Sequence, residues 1–232
     1  MRFELARIEL QPVRVVKRLS RVSILGEMGG RRLKLHLTNT GRLHEIVYEG
    51  STVLAQLRSG MKTDGVVMAA PVGGGAALID TRLQSTCFER ACEAGMISWL
   101  TPYRIIGREY PVGGSRIDYF IGSPIGERGV VELKSAVFMG PSGAAMYPDT
   151  VSIRGRRHVT LLMELPKSLR RIIVFVAAHP GARFFRPCVE ADPILGRLLK
   201  DAVRVGVEVR AVKMAIRDSV VFLEDDNLPI YL

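Results

Sequence analysis

Along the first eighty positions the apolar residues fall in short runs of β-formers with no helical spacing of useful length. Residues 3–10, 13–19, 22–25, 31–37, 52–57 and 66–70 form such runs, separated by Gly29-Gly30, Asn39-Thr40-Gly41, Gly50 and Gly60. Runs of this length bounded by turn residues predict strands, and a small closed β-barrel is the economical way to hide their edges. Gly73-Gly74-Gly75 lacks GxGxxG spacing and no GK[ST] follows it, so it reads as a turn. In Asn39-Thr40-Gly41-Arg42 the glycine is expected at a positive-φ turn position, which leaves Arg42 as the point of chemical interest.

From Thr86 the period becomes helical. Thr86-x-x-Glu89 has the form of a capping box, and Phe88, Ala91, Cys92, Met96 and Trp99 follow at spacings of three and four. This predicts a helix over 86–100, ended by Pro102. Strands are expected at 104–110, 116–121 and 130–134, a helix over 152–165, a strand at 171–178, a helix over 193–205 with proline at its start, and strands at 208–214 and 220–223. The order α-β-β-β-α-β-α-β-β describes a mixed sheet with helices, an α/β (α+β) arrangement unlike an all-parallel doubly wound one. The chain therefore divides into a barrel over 1–80 and a mixed-sheet domain over 81–232.

Composition narrows the class. With 232 residues, 47% of them hydrophobic, there is material for one large core or two small ones. The longest apolar runs, such as 172–178, fall well short of the roughly 20 residues a bilayer requires. Arg2, Glu4, Arg7 and Glu9 interrupt the N-terminal apolar residues, unlike a secretory signal. A soluble, cytoplasmic protein is expected. Three cysteines without CxxC or a Cys/His cluster argue against a disulfide framework and a structural zinc.

Charge adds the first functional clue. Lys+Arg 33 against Asp+Glu 23 gives a net +10, which favours a polyanionic partner such as nucleic acid. Before the 80/81 boundary lie 12 basic and 7 acidic residues and after it 21 and 16, so each part carries +5. The barrel's Arg31, Arg32, Lys34, Arg42, Arg58 and Lys62 are candidate phosphate contacts. Its aromatics are Phe3 and Tyr48, so base stacking has few platforms, and backbone-led, sequence-tolerant binding is expected.

The candidate chemistry lies on two neighbouring strands. Arg116-Ile117-Asp118 occupies one and Val131-Glu132-Leu133-Lys134 the next. Alternate side chains of a strand share a face, so Glu132 and Lys134 point the same way and Asp118 can lie beside them. Two adjacent carboxylates repel unless a cation lies between them, and oxygen ligands near phosphate suit Mg²⁺ (or Mn²⁺). Lys134 would organise water or offset transition-state charge. The plain alternative is an interstrand salt bridge. Glu109 and Glu89 are candidates for additional ligands, against a solvated charge for the first and a capping role for the second. Arg154 and His158, spaced i, i+4, share a helix face that could meet a phosphate, as could Arg116. No G-x-S-x-G elbow or reactive-cysteine motif is present, which argues against covalent hydrolase chemistry.

A carboxylate on the second strand of a hairpin followed by E-x-K on the third, after an initial helix, resembles the PD-(D/E)XK nuclease core. More specifically, Asn39-Thr40-Gly41-Arg42-Leu43, Lys62-Thr63, Ser115-Arg116-Ile117-Asp118, Glu132-Leu133-Lys134, Pro148-Asp149 and Arg154-Gly155-x-x-His158 resemble, in order and spacing, the sugar fermentation stimulation protein family over nearly the whole chain. The resemblance implies an N-terminal OB-like barrel, a C-terminal nuclease-like domain and a DNA-binding role linked in bacteria to sugar-utilisation genes. One departure is Ser152-Ile153-Arg154, where the family pattern is expected to carry Thr-Glu-Arg, so that carboxylate has no counterpart here. Two function classes stay open. One is a Mg²⁺-dependent nuclease with Asp118 and Glu132 as ligands and Lys134 as charge organiser. The other is a noncatalytic DNA-binding regulator of sugar-utilisation genes that keeps the nuclease fold as a scaffold.

Overall fold

The computed structural model describes residues 3–58 and 62–232; the turn expected at Gly60 lies outside them. After β1 (Phe3–Arg7), strands β2 (Gln11–Ser20), β3 (Ser23–Met28), β4 (Arg31–His36), β5 (Thr52–Leu57) and β6 (Gly65–Val72) form the barrel. β2 pairs with β3 and β5, β3 with β4, and β5 with β6, all antiparallel, and the parallel pair Leu35↔Gly65 between β4 and β6 closes the ring. Counted within the barrel this is the order 1-2-3-5-4-1, the Greek-key path of an OB-type barrel. Alternation along each strand turns Val13, Val15, Ile24, Leu33, Leu35, Val53 and Val67 inward, where all are buried.

β1 is not a stave of this barrel. It pairs antiparallel with β16 (Val220–Asp225), Phe3 opposite Leu223. A second tie is β7 (Gly75–Leu78), a short strand absent from the sequence pattern, which pairs with β6 and, at Ala76↔Ile216, with β15 (Glu208–Arg217). Gly75 is required there: its φ is 143°, and a Cβ would fall 2.4 Å from the Ile216 carbonyl oxygen.

Helix α1 (Thr81–Glu93) starts five residues before the expected Thr86 and stops well before Leu100. Asp80 is its N-cap, Oδ1 accepting from the Leu83 amide at 2.6 Å, so Thr86 lies mid-helix and the Thr86/Glu89 capping box does not form. The true start is hidden because Gln84, a polar residue, occupies the buried face beside Cys87, Phe88 and Ala91. Ser98–Leu100 is a separate 3₁₀ turn.

The remaining elements are β8 (Arg104–Val112), β9 (Ser115–Gly122), β10 (Arg128–Ser135), β11 (Phe138–Met139), β12 (Ala144–Tyr147), α2 (Ile153–Glu164), β13 (Arg170–Ala177), β14 (Phe184–Pro187) and α3 (Pro193–Arg204). The second sheet runs β7-β15-β13-β10-β9-β8. β10, β13 and β15 are parallel, and β9 and β8 continue antiparallel. Val131, Ile172, Val174 and Val176 face α1 and the barrel side, whereas Val130, Ile173, Phe175 and Ala177 pack with α2 and α3. Coverage of both faces explains why β13 reads as an unbroken apolar run. β11, β12 and β14 form a separate small sheet whose strands of two to four residues are too short to leave a period. The three cysteines are free and buried. Among the described residues no helix is long and apolar enough to cross a membrane.

Candidate active site

The antiparallel ladder between β9 and β10 runs to Tyr119↔Val131 and stops. One residue further on, Asp118 Oδ2 takes the Leu133 amide hydrogen at 2.7 Å, replacing the ladder bond with a side-chain one. Glu132 and Lys134 project from the same face of β10 toward α2. There Lys134 Nζ and His158 Nδ1 both donate to Glu132 Oε1, and Arg154 Nε lies 3.4 Å from His158 Nε2. Asp118, Glu132 and Lys134 thus meet in one site, as strand alternation predicted. His158 does not reach solvent as a phosphate contact would: it is 2% exposed and turned onto Glu132, because the helix face carrying it packs on the sheet.

The two acids are held differently. Burial, then the nearby charge of Glu132, pushes Asp118 up to about 6 against the opposing Leu133 amide and Lys134. Burial also works against the charged form of Glu132, but the His158 hydrogen bond and the Lys134 charge outweigh it and hold this carboxyl below its usual range. Glu132 Oε2 is buried with no hydrogen-bond partner. An orphaned carboxylate oxygen beside a second acid whose charge is disfavoured by burial and by Glu132 fits a hard divalent cation. No third His, Cys, Asp or Glu completes a ligand cluster among the described residues. The rest of the coordination would fall to water and phosphate oxygens, as is usual for Mg²⁺.

Glu89 and Glu109 do not join them. Glu89 gives both oxygens to Arg108, at 2.9 and 2.6 Å, beside a different cleft of about 270 Å³. Glu109 is exposed at φ 51° and pairs with Arg116 at 3.2 Å. Each acid has an arginine partner on another element, helix to strand for Glu89 and strand to strand for Glu109, that residue spacing could not reveal.

The barrel supplies the facing wall of the site. A cleft of about 690 Å³ is lined by Asp118, Glu132 and Lys134 on one side and by Thr38, Asn39, Thr40 and Gly41 on the other. Asn39 Nδ2 and Gln84 Nε2 both donate to Ser135 Oγ, at 3.2 and 2.9 Å, clamping the residue after Lys134 between barrel and α1. Thr38 Oγ1 donates to Asp80 Oδ2 at 3.1 Å and accepts from the Thr81 amide at 2.9 Å. The Leu43 amide donates to Asp149 Oδ2 at 3.1 Å. Gly41 is not at positive φ; Leu43 is, at 53°. Glycine is required at 41 for close approach, since a Cβ would fall 2.7 Å from Asp149 Oδ2.

Sequence reasoning missed Gln84, Ser135 and Asp80. Ser135 directly follows E-x-K, and the lone polar Gln84 on an apolar helix face was the readable signal. Arg42, Arg116 and Arg154 are exposed near the site, while Arg31, Arg32, Lys34, Arg58 and Lys62 are exposed on the barrel and do not line the cleft.

A closed five-stranded barrel joined to a mixed sheet, with two carboxylates and a lysine converging where adjacent strands part, defines a two-part α+β protein with an acidic site facing its barrel. Residues 82–219 match the family model "Sugar fermentation stimulation protein RE domain". The Sugar fermentation stimulation protein homolog of Archaeoglobus fulgidus is 37% identical over 219 residues, 94% of each chain; that of Pyrococcus furiosus is 39% identical over 204 residues, 88% of each. The solved structure of Pyrococcus furiosus SfsA in complex with Ca²⁺ superposes with a TM-score of 0.94 at 35% identity, covering 99% of this chain and 100% of that one. The chain belongs to the sugar fermentation stimulation protein family.

Proposed function

We propose that this protein binds DNA chiefly through its phosphates and cuts it with a divalent metal, Mg²⁺ or Mn²⁺, held by Asp118 and Glu132. The observation that carries this reading is the convergence of the two acids and Lys134, with one Glu132 oxygen orphaned, in a cleft facing the barrel. That a relative with the same fold was solved in complex with Ca²⁺ supports a divalent ion here. When bound, such an ion supplies Lewis-acid polarisation of a phosphoryl oxygen. The chain's own parts are then distinct. Asp118 and Glu132 provide oxygens, and His158 fixes the orientation of Glu132. The Lys134 ammonium offsets charge developing on phosphate, and Arg42, Arg116 and Arg154 hold neighbouring phosphates.

A second reading, a noncatalytic DNA-binding regulator, is favoured by one observation: Lys134 and His158 already satisfy Glu132 Oε1, and no third acid completes the site. Incubating the purified protein with plasmid and linear DNA, with and without Mg²⁺ or Mn²⁺, separates them. Metal-dependent cutting is expected; binding without cutting under every metal would leave the regulator.

A further inference from the structure

The central cleft does not end at the carboxylates. Through Arg21, Thr40, Gly41 and Thr150 it shares walls with a barrel cleft of about 470 Å³ that Arg42 and His44 also line. On the other side it shares Ile153 and Arg154 with a cleft of about 810 Å³ lined by Arg116 and Arg157. The three form one trough, with the acids at its middle and arginines at both ends. Arg18 underlies the barrel end, donating to the carbonyls of Gly41 at 2.7 Å, Arg21 at 3.1 Å and Arg42. It fixes the loop there. The guanidinium groups of Arg21 and Arg42 are exposed and make no hydrogen bond or ion pair among the described residues.

At the junction Ile153 is 76% and Val151 54% exposed, apolar side chains amid cations. Such a pairing of arginines with apolar groups matches a nucleic-acid strand, whose phosphates seek the first and whose sugars and base edges contact the second.

Resting on the DNA-binding reading above, we propose that DNA runs the whole length of this trough. Arg21 and Arg42 then hold phosphates on one side of the carboxylate site, and Arg116 and Arg157 hold them on the other. The site addresses an internal phosphodiester and needs no strand end.

Binding in EDTA tests this without relying on cleavage. Fluorescence anisotropy would compare the wild type, the pairs R21A/R42A and R116A/R157A, and the off-trough pair R197A/K200A on α3. Each trough pair should lower affinity roughly tenfold near physiological salt and flatten the log-log salt slope by about 2, and the α3 pair should do neither. A covalently closed DNA minicircle should compete as well as a linear duplex of the same sequence. A trough pair that behaves like the α3 pair, or a closed circle bound about tenfold more weakly than the linear form, would overturn the proposal. Failure to cut under Mg²⁺ or Mn²⁺ while both trough pairs still lose affinity would remove the nuclease reading and leave the trough standing.

Discussion

Asp118 carries a charge that its surroundings oppose. Its carboxyl is lifted to about 6 by burial and by Glu132, so at neutral pH the folded state holds a charge it disfavours. An acid raised in the folded state costs stability above that value, and the cost fades as pH falls to the unfolded value near 4. Asp118→Asn should therefore stabilise the metal-free protein by about 3 kcal/mol at pH 7.5, with the gain vanishing near pH 4; thermal melts in EDTA across this range check it. The same variant should lose metal-dependent cleavage while binding DNA as well as or slightly better than wild type. Lys134→Ala should lose cleavage and bind modestly more weakly, because one change removes a negative charge and the other a positive one. Gel-shift titrations without metal read the opposite signs. The meeting of these side chains was legible because strand alternation alone puts Glu132 and Lys134 on one face. Glu89 and Glu109, candidates for further ligands, pair instead with Arg108 and Arg116, partners set by three-dimensional packing.

Among elements, the loop from Thr38 to Leu43 is held by buried Asp80 and half-buried Asp149, and the start of α2 by buried Asp192. Gly41→Ala would drive a Cβ to 2.7 Å from Asp149 Oδ2, and the loop must shift; a loss of about 1–3 kcal/mol is expected in denaturant titrations. Asp192, fully buried, caps α3 through the Leu195 amide at 3.0 Å, accepts from Ser152 at the start of α2 at 2.9 Å, and pairs with Arg156 at 2.8 Å. Asp192→Ala should cost about 2–4 kcal/mol, since it removes the α3 cap and the Ser152 contact and leaves half-buried Arg156 without its partner. Burial opposes the charged forms of Asp192, Glu208 and Glu224, yet their arginine partners draw all three below the usual carboxylate range. Acids depressed in the folded state stabilise it above their unfolded values, and that contribution is lost as pH falls through the folded ones. In Asp118→Asn, where the Asp118 contribution is gone, denaturation midpoints should thus hold steady from neutrality to about pH 5 and fall below about pH 4, less steeply when Asp192→Asn is added. Helix α2 was readable from its period, and α3 from its period and the proline at its start. α1 was misplaced because its N-cap, Asp80, is followed by a face that includes the polar Gln84.

For the whole molecule, the barrel and the mixed sheet were each legible from local pattern, because each strand alternates or runs apolar according to how many of its faces are covered. What joins them was not. β7 is four residues long, and the partner of β1 lies more than two hundred positions away, a distance over which hydrophobic pattern carries no pairing information.

That last pairing has a consequence for how the protein is made. β1 leaves the ribosome more than two hundred residues ahead of its edge partner β16, and its Leu5 and Ala6 are buried in the finished fold. At about 5–20 residues per second the nascent strand waits on the order of 10–40 seconds. The five barrel strands, all contiguous behind it, can close meanwhile. Ribosome-stalled chains ending before Val220 should therefore show a protease-resistant barrel with a cleavable N-terminal segment, and release of β16 should seal that segment last.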